Sequence, residues 1–425
     1  MSLKLINNKN LIFIDSVDML NEINFKKENK IIITFIGKNK EKENIYNFYD
    51  LLDKEIHIKY EDLSTNISEE FHDSLKINLA LKKNLTRIFY GQIGLFPYFS
   101  LLNKLLLNKN KFTVHTRNEK IFNIFKIFSK LEQVNIFYKK NNKKSNYFKI
   151  SNFDLFKMYS YNEIFFYFKK KFLKDFKKLS NLKQEVFIHL SSELNFISLD
   201  KFLNKNFQTK LFELDEKILD VDLDMNQKEF NEIFNLTNNL IKKYFDENIY
   251  FLKYLDFELN NFLKKYTFFY KKVSSIFNEL DSSFYFLTKI IRGPLATALY
   301  DYGKIKKKKF TWVSHQHGHG IELSNIHKKT QLTKEETLSD LFFVYSSVGK
   351  EERMKNKYIK ENVKIIDIGY HASNYSFKSV PHHDIIYVSN LNQELTGHEI
   401  NMSNLSNSKK INFEEGLIKN VFSKI

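Results

Sequence analysis

Over its first third the chain alternates short apolar runs with longer mixed stretches. Leu11–Asp15, Ile31–Ile36, Arg87–Tyr90, Phe112–His115 and Val134–Tyr138 are rich in β-branched and aromatic residues. Runs of this length without strict polar alternation read as strands covered on both faces, as in a parallel sheet. Strands separated by helical stretches predict an α/β domain. Between Phe230 and Phe277 the period changes. Phe230, Ile233, Phe234, Leu240, Ile241 and Tyr244, then Leu252, Leu255, Leu259, Leu263, Tyr266 and Val273, recur at helical spacing. Such stripes predict two packed amphipathic helices rather than a lipid-facing surface. Val186–Leu190 is one further strand ahead of them.

From Ser283 the α/β rhythm returns. Phe284–Leu287 is strand-like, and Gly293-Pro294 opens a helix reaching about Gly303, with proline suited to a first helical turn. Strands follow at Phe310–Val313, Leu341–Tyr345, Lys364–Ile368 and, past Pro381, Ile385–Val388, with a helix from Ser347 to about Lys357. The expected organisation is an N-terminal α/β region (1–150), a mainly helical insertion (151–282) and a return of the same α/β domain (283–375). A linker and the stub of a second domain (376–425) would close it. Eight of the eleven glycines lie from Gly293 onward and eight of the twelve histidines from His315 onward. Turns and polar chemistry are thereby concentrated in the last third.

Composition narrows the chemistry. With 425 residues the chain is long enough for two or three domains. Its net charge of +17 favours acidic partners such as nucleotides, phosphates or the anionic face of an inner membrane. The excess of Lys, Asn, Ile and Phe reads as base-composition bias, which tempers that inference. No RNA-recognition, zinc-finger or helix-turn-helix pattern is present, so nucleic acid is not an expected partner. The absence of cysteine excludes disulfides, thiolate catalysis and Cys-based zinc sites. Residues 1–20 lack the features of a signal peptide, and no apolar stretch approaches the roughly 18 residues of a membrane span. A cytoplasmic protein, at most peripheral to the membrane, is expected.

The densest chemistry is TWVSHQHGHG at 311–320. A strand runs into His315, Gln316, His317, Gly318, His319 and Gly320, at the end where open α/β sheets hold ligands. Three readings stay open. Alternate histidines on an extended segment face one side and could share a metal with Glu322 or Asp340, as in a metal-dependent hydrolase. Neutral imidazoles and glycine amides could instead hold a phosphate or sugar, one histidine serving as general base. The third is a structural loop. Ser346-Ser347-Val348-Gly349 has the form of a strand-to-helix turn that caps a helix or receives an anion. Weaker candidates are His115 with Arg117, the Gly91–Gly94 turn, Lys306–Lys309 and His382-His383.

The order of elements from 284 to 388 resembles the domain junction of GT-B-type glycosyltransferase-like proteins of bacterial surface-carbohydrate (capsule, lipopolysaccharide) biosynthesis. The strand entering Gln316-His317-Gly318, the later turns at Gly349 and Gly369, and the strand IIYVSN carry the likeness. It implies a Rossmann-like N-terminal domain with a helical insertion and the start of a second such domain. It implies transfer of a sugar or phosphoalditol from a nucleotide donor to a glycan acceptor. His317 would be catalytic, and His315, Gln316, Gly318, His319, Ser346, Ser347 and Gly349 would bind substrate. Neither metal nor cofactor is required beyond the nucleotide-activated sugar. In the family the second domain runs well past 100 residues, so the stub after Ile385 implies a truncated donor domain or a separate chain supplying it. On that reading the chain alone would be inactive or a non-catalytic binding half.

Overall fold

In a computed structural model of the chain, the described residues are 8–16, 19, 30–36, 44–51, 54–139, 186–190, 208–211, 227–245, 248–278, 280, 283–288, 291–316, 335–360 and 362–368. They form a mixed α/β structure built on two parallel sheets. The first contains β1 (Asn10–Ser16), β2 (Lys30–Ile36), β3 (Ile45–Asn47), β4 (Lys111–Thr116) and β5 (Val134–Tyr138), in the order β3-β2-β1-β4-β5. The second contains β6 (Val186–His189), β7 (Gln208–Leu211), β8 (Phe284–Thr288), β9 (Phe310–His315), β10 (Leu341–Val344) and β11 (Lys364–Asp367), in the order β11-β10-β9-β8-β6-β7. Both orders are Rossmann-like. Winding reverses between β1 and β4 in one sheet and between β6 and β8 in the other, the switch points at which such sheets open a crevice.

This topology corrects the expectation that 283–375 rejoins the N-terminal domain. β8 pairs with β6 and β9, so the later strands form a sheet of their own. Two of its strands lie inside the stretch expected to be a helical insertion. Periodicity reports which faces a segment buries, not which sheet it enters. The segment 376–425 and the strand expected at Ile385–Val388 lie outside the described residues.

The helices are α1 (Lys54–Ser74), α2 (Leu79–Ile93), α3 (Phe96–Leu107), α4 (Glu119–Lys126), α5 (Gln227–Tyr244), α6 (Ile249–Phe277), α7 (Gly293–Ile305) and α8 (Ser347–Met354). The stripes from Phe230 to Phe277 form α5 and α6, as their period predicts. Arg87–Tyr90 is not a strand but part of α2, whose Leu81, Leu85, Phe89 and Ile93 are buried at four-residue spacing. A four-residue apolar window is common to both structures.

Helix α6 belongs to both cores. Leu255, Leu259, Leu263 and Phe269 pack in one cluster with Leu11, Phe13 and Phe112 of the first sheet. Val273 and Phe277 pack with Phe284, Phe286 and Trp312 of the second. Twenty-nine residues of helix span about 43 Å. A polar tie joins the halves as well. Asp301 of α7, 2% exposed, accepts from the amides of Ala80 (3.1 Å) and Leu81 (3.0 Å) at the start of α2, and from the Tyr266 hydroxyl (3.3 Å). It supplies the cap that the Asn78 side chain does not make. Burial pushes its carboxyl up to about 7, against the opposing pull of those donors. Lys83 of α2 is equally enclosed. Its ammonium donates to the Tyr358 (3.1 Å) and Thr337 (3.4 Å) carbonyls, and burial lowers it to about 7.

Candidate active site

The carboxyl ends of β9 and β10 bring together most of the described site candidates. Along β9, Phe310, Trp312 and Ser314 alternate with Thr311, Val313 and His315, so the two sets face opposite sides of the sheet. His315 is the last residue of the strand, in register with Phe343 of β10. Its Nδ1 lies 2.9 Å from the Gln316 carbonyl. A carbonyl only accepts, so this contact places the proton on Nδ1 and leaves the lone pair on Nε2. The Tyr345 hydroxyl is 3.5 Å from the same Nδ1, at the limit of a hydrogen bond.

Gln316 is 1% exposed. Its N–H donates to the Phe343 carbonyl (2.9 Å), and its Oε1 accepts from the Tyr345 amide (3.1 Å). Side chain and backbone together carry the β9–β10 ladder past the end of the strands, fixing where the histidine loop departs. On the neighbouring strand, Ser346 Oγ accepts from the Gly349 amide (3.0 Å) and caps α8. Ser346 and Ser347 are exposed and Gly349 is buried. The capping expected of this turn is present, beside the end of β9. His317, Gly318 and His319 lie outside the described residues, as do Glu322, Gly369, His382 and His383.

Asp340 lies at the opposite end of its strand from His315, the one described histidine of the loop motif. Its Oδ2 accepts from the Trp312 amide (2.8 Å) and its Oδ1 from Lys360 (3.2 Å), at the amino end of β10. Among the described residues no three His, Asp or Glu side chains converge as metal ligands would. The Lys306–Lys309 run also sits at the amino edge of the sheet, where Lys308 donates to the carbonyls of Asn278 and Leu280 (both 2.9 Å) beyond the end of α6. Gly91-Gln92-Ile93-Gly94 does not follow a strand. It closes α2, with Gly94 in ordinary helical geometry (φ −58°, ψ −15°). The strand-end turn expected there is therefore a helix end.

At the switch point of the first sheet, His115 ends the exposed side of β4 and stacks on Phe137 (4.7 Å between centroids, 10° between planes). Burial lowers its pKa. The neighbouring Asp15, at the end of β1, was not singled out by the sequence. It accepts from the Thr116 hydroxyl (2.5 Å) and the Arg117 amide (2.7 Å). Burial raises its pKa against these bonds. The usable signal was a carboxylate closing an apolar run, NLIFIDS. Asn118 then caps α4 by accepting from Lys120 (2.9 Å) and Ile121 (3.4 Å).

Among the described residues no helix is long and apolar enough to cross a membrane. Comparison of the chain with models of known families, with curated proteins and with solved structures finds no match.

Proposed function

We propose that the chain is a glycosyltransferase-like protein that moves a sugar or phosphoalditol from a nucleotide donor to a surface-glycan acceptor, at the carboxyl edge of its second sheet. One observation carries the reading. His315 stands at the end of a parallel strand with its tautomer set by the Gln316 carbonyl, immediately before a loop holding two more histidines. His317 takes the proton of the acceptor hydroxyl as that oxygen attacks the donor carbon or phosphorus. The bond to the leaving nucleotide phosphate breaks and the phosphate keeps the electron pair. His315 and His319 orient the acceptor or contact the phosphate, and the capped start of α8 at Ser346 and Ser347 faces developing negative charge. Both Rossmann-like sheets needed for a two-sided cleft are then contained in 10–367, which makes a separate donor-domain chain unnecessary to the scheme.

The test is turnover of a panel of nucleotide sugars and CDP-alditols by the full chain with glycan acceptors. His317→Ala should reduce transfer by about 10²–10⁴-fold with an unchanged circular dichroism spectrum. Undiminished turnover rejects the base assignment. Stoichiometric zinc or manganese in the purified protein would instead favour hydrolysis by a histidine-bound metal.

A further inference from the structure

We infer that residues 413–425 form an amphipathic helix that docks on one face of the second sheet, over β9, β10 and β11. The inference rests on the sheet and on the sequence that follows it, and is independent of the transferase reading.

The two faces of this sheet are finished unequally. Phe284 and Phe286 of β8, Trp312 of β9 and Phe342 of β10 are fully buried on one of them. Helices α6, α7 and α8 lie over that face: Phe277 packs on Phe284, Tyr300 on Trp312, and the Arg353 guanidinium on Phe342. The crossovers β8–α7–β9 and β10–α8–β11 advance in one direction along the sheet, and right-handedness puts their helices on the same side. On the opposite face Leu287 and Val313 cluster with Tyr285, Leu341 and Phe343, and every described member of that cluster belongs to a strand. Cover thins towards β11. Leu287 is 3% and Val313 8% exposed, Leu341 and Phe343 are half-buried, and Ile366 of β11, in register with Phe343, is 40% exposed. Parallel sheets are ordinarily covered on both faces, so an apolar face left open at one side calls for an occupant.

Residues 369–425 follow directly from β11, the strand where the face is most exposed. Within them Leu417, Ile418, Val421, Phe422 and Ile425 recur at helical spacing, with Glu415, Lys419, Asn420 and Ser423 on the other side. Glu414 and Glu415 stand in the first turn and Lys424 in the last, the distribution that a helix dipole favours. Thirteen residues of helix measure about 20 Å, close to the breadth of four strands about 4.8 Å apart. An isolated helix this short is marginal in water, so its apolar stripe needs a partner as much as the sheet face does. The polar stretch 389–410 can reach any part of the face, at up to about 3.3 Å per residue. His315 alternates with Val313 onto the same face, so the docked helix borders the candidate site.

Hydrogen exchange of the full chain tests this. Backbone amides of 417–425 should exchange about 10²-fold or more slowly than those of 389–410. Ile366→Glu puts a charge on the exposed side of β11 and should speed exchange of 417–425 by about 10-fold or more, while the amides of β8, β9 and β10 stay protected. Because the chain has no cysteine, Ile366→Cys gives a single reporter on the sheet. Its thiol should be alkylated slowly, and about 10-fold or more faster when Val421→Glu is added. Val421→Glu leaves the sheet unaltered, so it carries the test if Ile366→Glu disturbs β11. Exchange of 417–425 as fast as that of 389–410 overturns the docking, and so does alkylation of Ile366→Cys at one rate with and without Val421→Glu. Protection that grows with protein concentration overturns it as well, in favour of a second copy of the chain on that face.

Discussion

The two sheets share a winding pattern and finish their carboxyl edges differently. In the first, Asp15 uses both oxygens on Thr116 and Arg117, stitching the end of β1 to the turn after β4. The protein fills that switch point with its own groups. In the second, the corresponding edge presents a helix start at Gly293 with no side-chain cap and a buried Ser314 hydroxyl without a hydrogen-bond partner. Equal topology therefore does not mean equal readiness for ligand. Hydrogen-bond satisfaction at the carboxyl edge, not strand order, is what distinguishes the two sheets.

Asp301 sets the largest expected effect on that contrast, because it ties α7 of the second sheet to α2. Asp301→Ala leaves the Ala80 and Leu81 amides and the Tyr266 hydroxyl without their acceptor and should cost about 3–5 kcal/mol in denaturant unfolding.

The same carboxyl should imprint a pH dependence. Its folded pKa is raised to about 7 from 3.8, so the folded chain keeps a proton that the unfolded chain has lost. Its contribution to stability is complete below about pH 4 and declines as pH rises to about 7, by roughly 4 kcal/mol at most. Lys83, lowered from 10.5 to about 7, acts in the adjoining window. Its contribution is complete above about pH 10.5 and is lost as pH falls towards 7. Chemical denaturation from pH 4 to 10 should show the decline vanish in Asp301→Asn and the alkaline rise vanish in Lys83→Met. Either limb surviving its variant rejects the corresponding assignment.

Asp15→Ala should cost about 1–3 kcal/mol, since it strips the Thr116 hydroxyl and Arg117 amide of their acceptor. Nucleotide binding should be untouched, and a drop in affinity would make the first edge a binding edge too. Smallest is Ser346→Ala, about 1 kcal/mol for a lost helix cap, accompanied by a several-fold rise in KM for the donor. A KM that does not move removes Ser346 from the substrate contacts.

Much of this fold was legible from patterning, because Leu11–Ile14 is apolar on both faces, Phe112 and Val114 mark one buried face of β4, and the α5–α6 stripe is long. Arg87–Tyr90 misled because four residues contain barely one helical turn. The fifteen-residue stripe through Leu81, Leu85, Phe89 and Ile93 carries the right period. Which sheet a strand joins was not legible. β6 and β8 are far apart in the chain, and their pairing depends on everything that packs between. At the edge, His315 announced itself by type and spacing. The engagement of Gln316 with Tyr345 depends on β9–β10 register, and the unmet bonding of Ser314 on what α7 covers. Neither is encoded in a local motif.

The long helix α6 has a consequence for how the chain comes to be folded. The described strands of the N-terminal sheet have all been made once Tyr138 has been added, yet the core of that sheet takes in Leu255, Leu263 and Phe269. During synthesis that sheet must wait, with apolar surface uncovered, until α6 has left the ribosome. The same helix closes the second core through Val273 and Phe277, so the two halves become stable together rather than in turn.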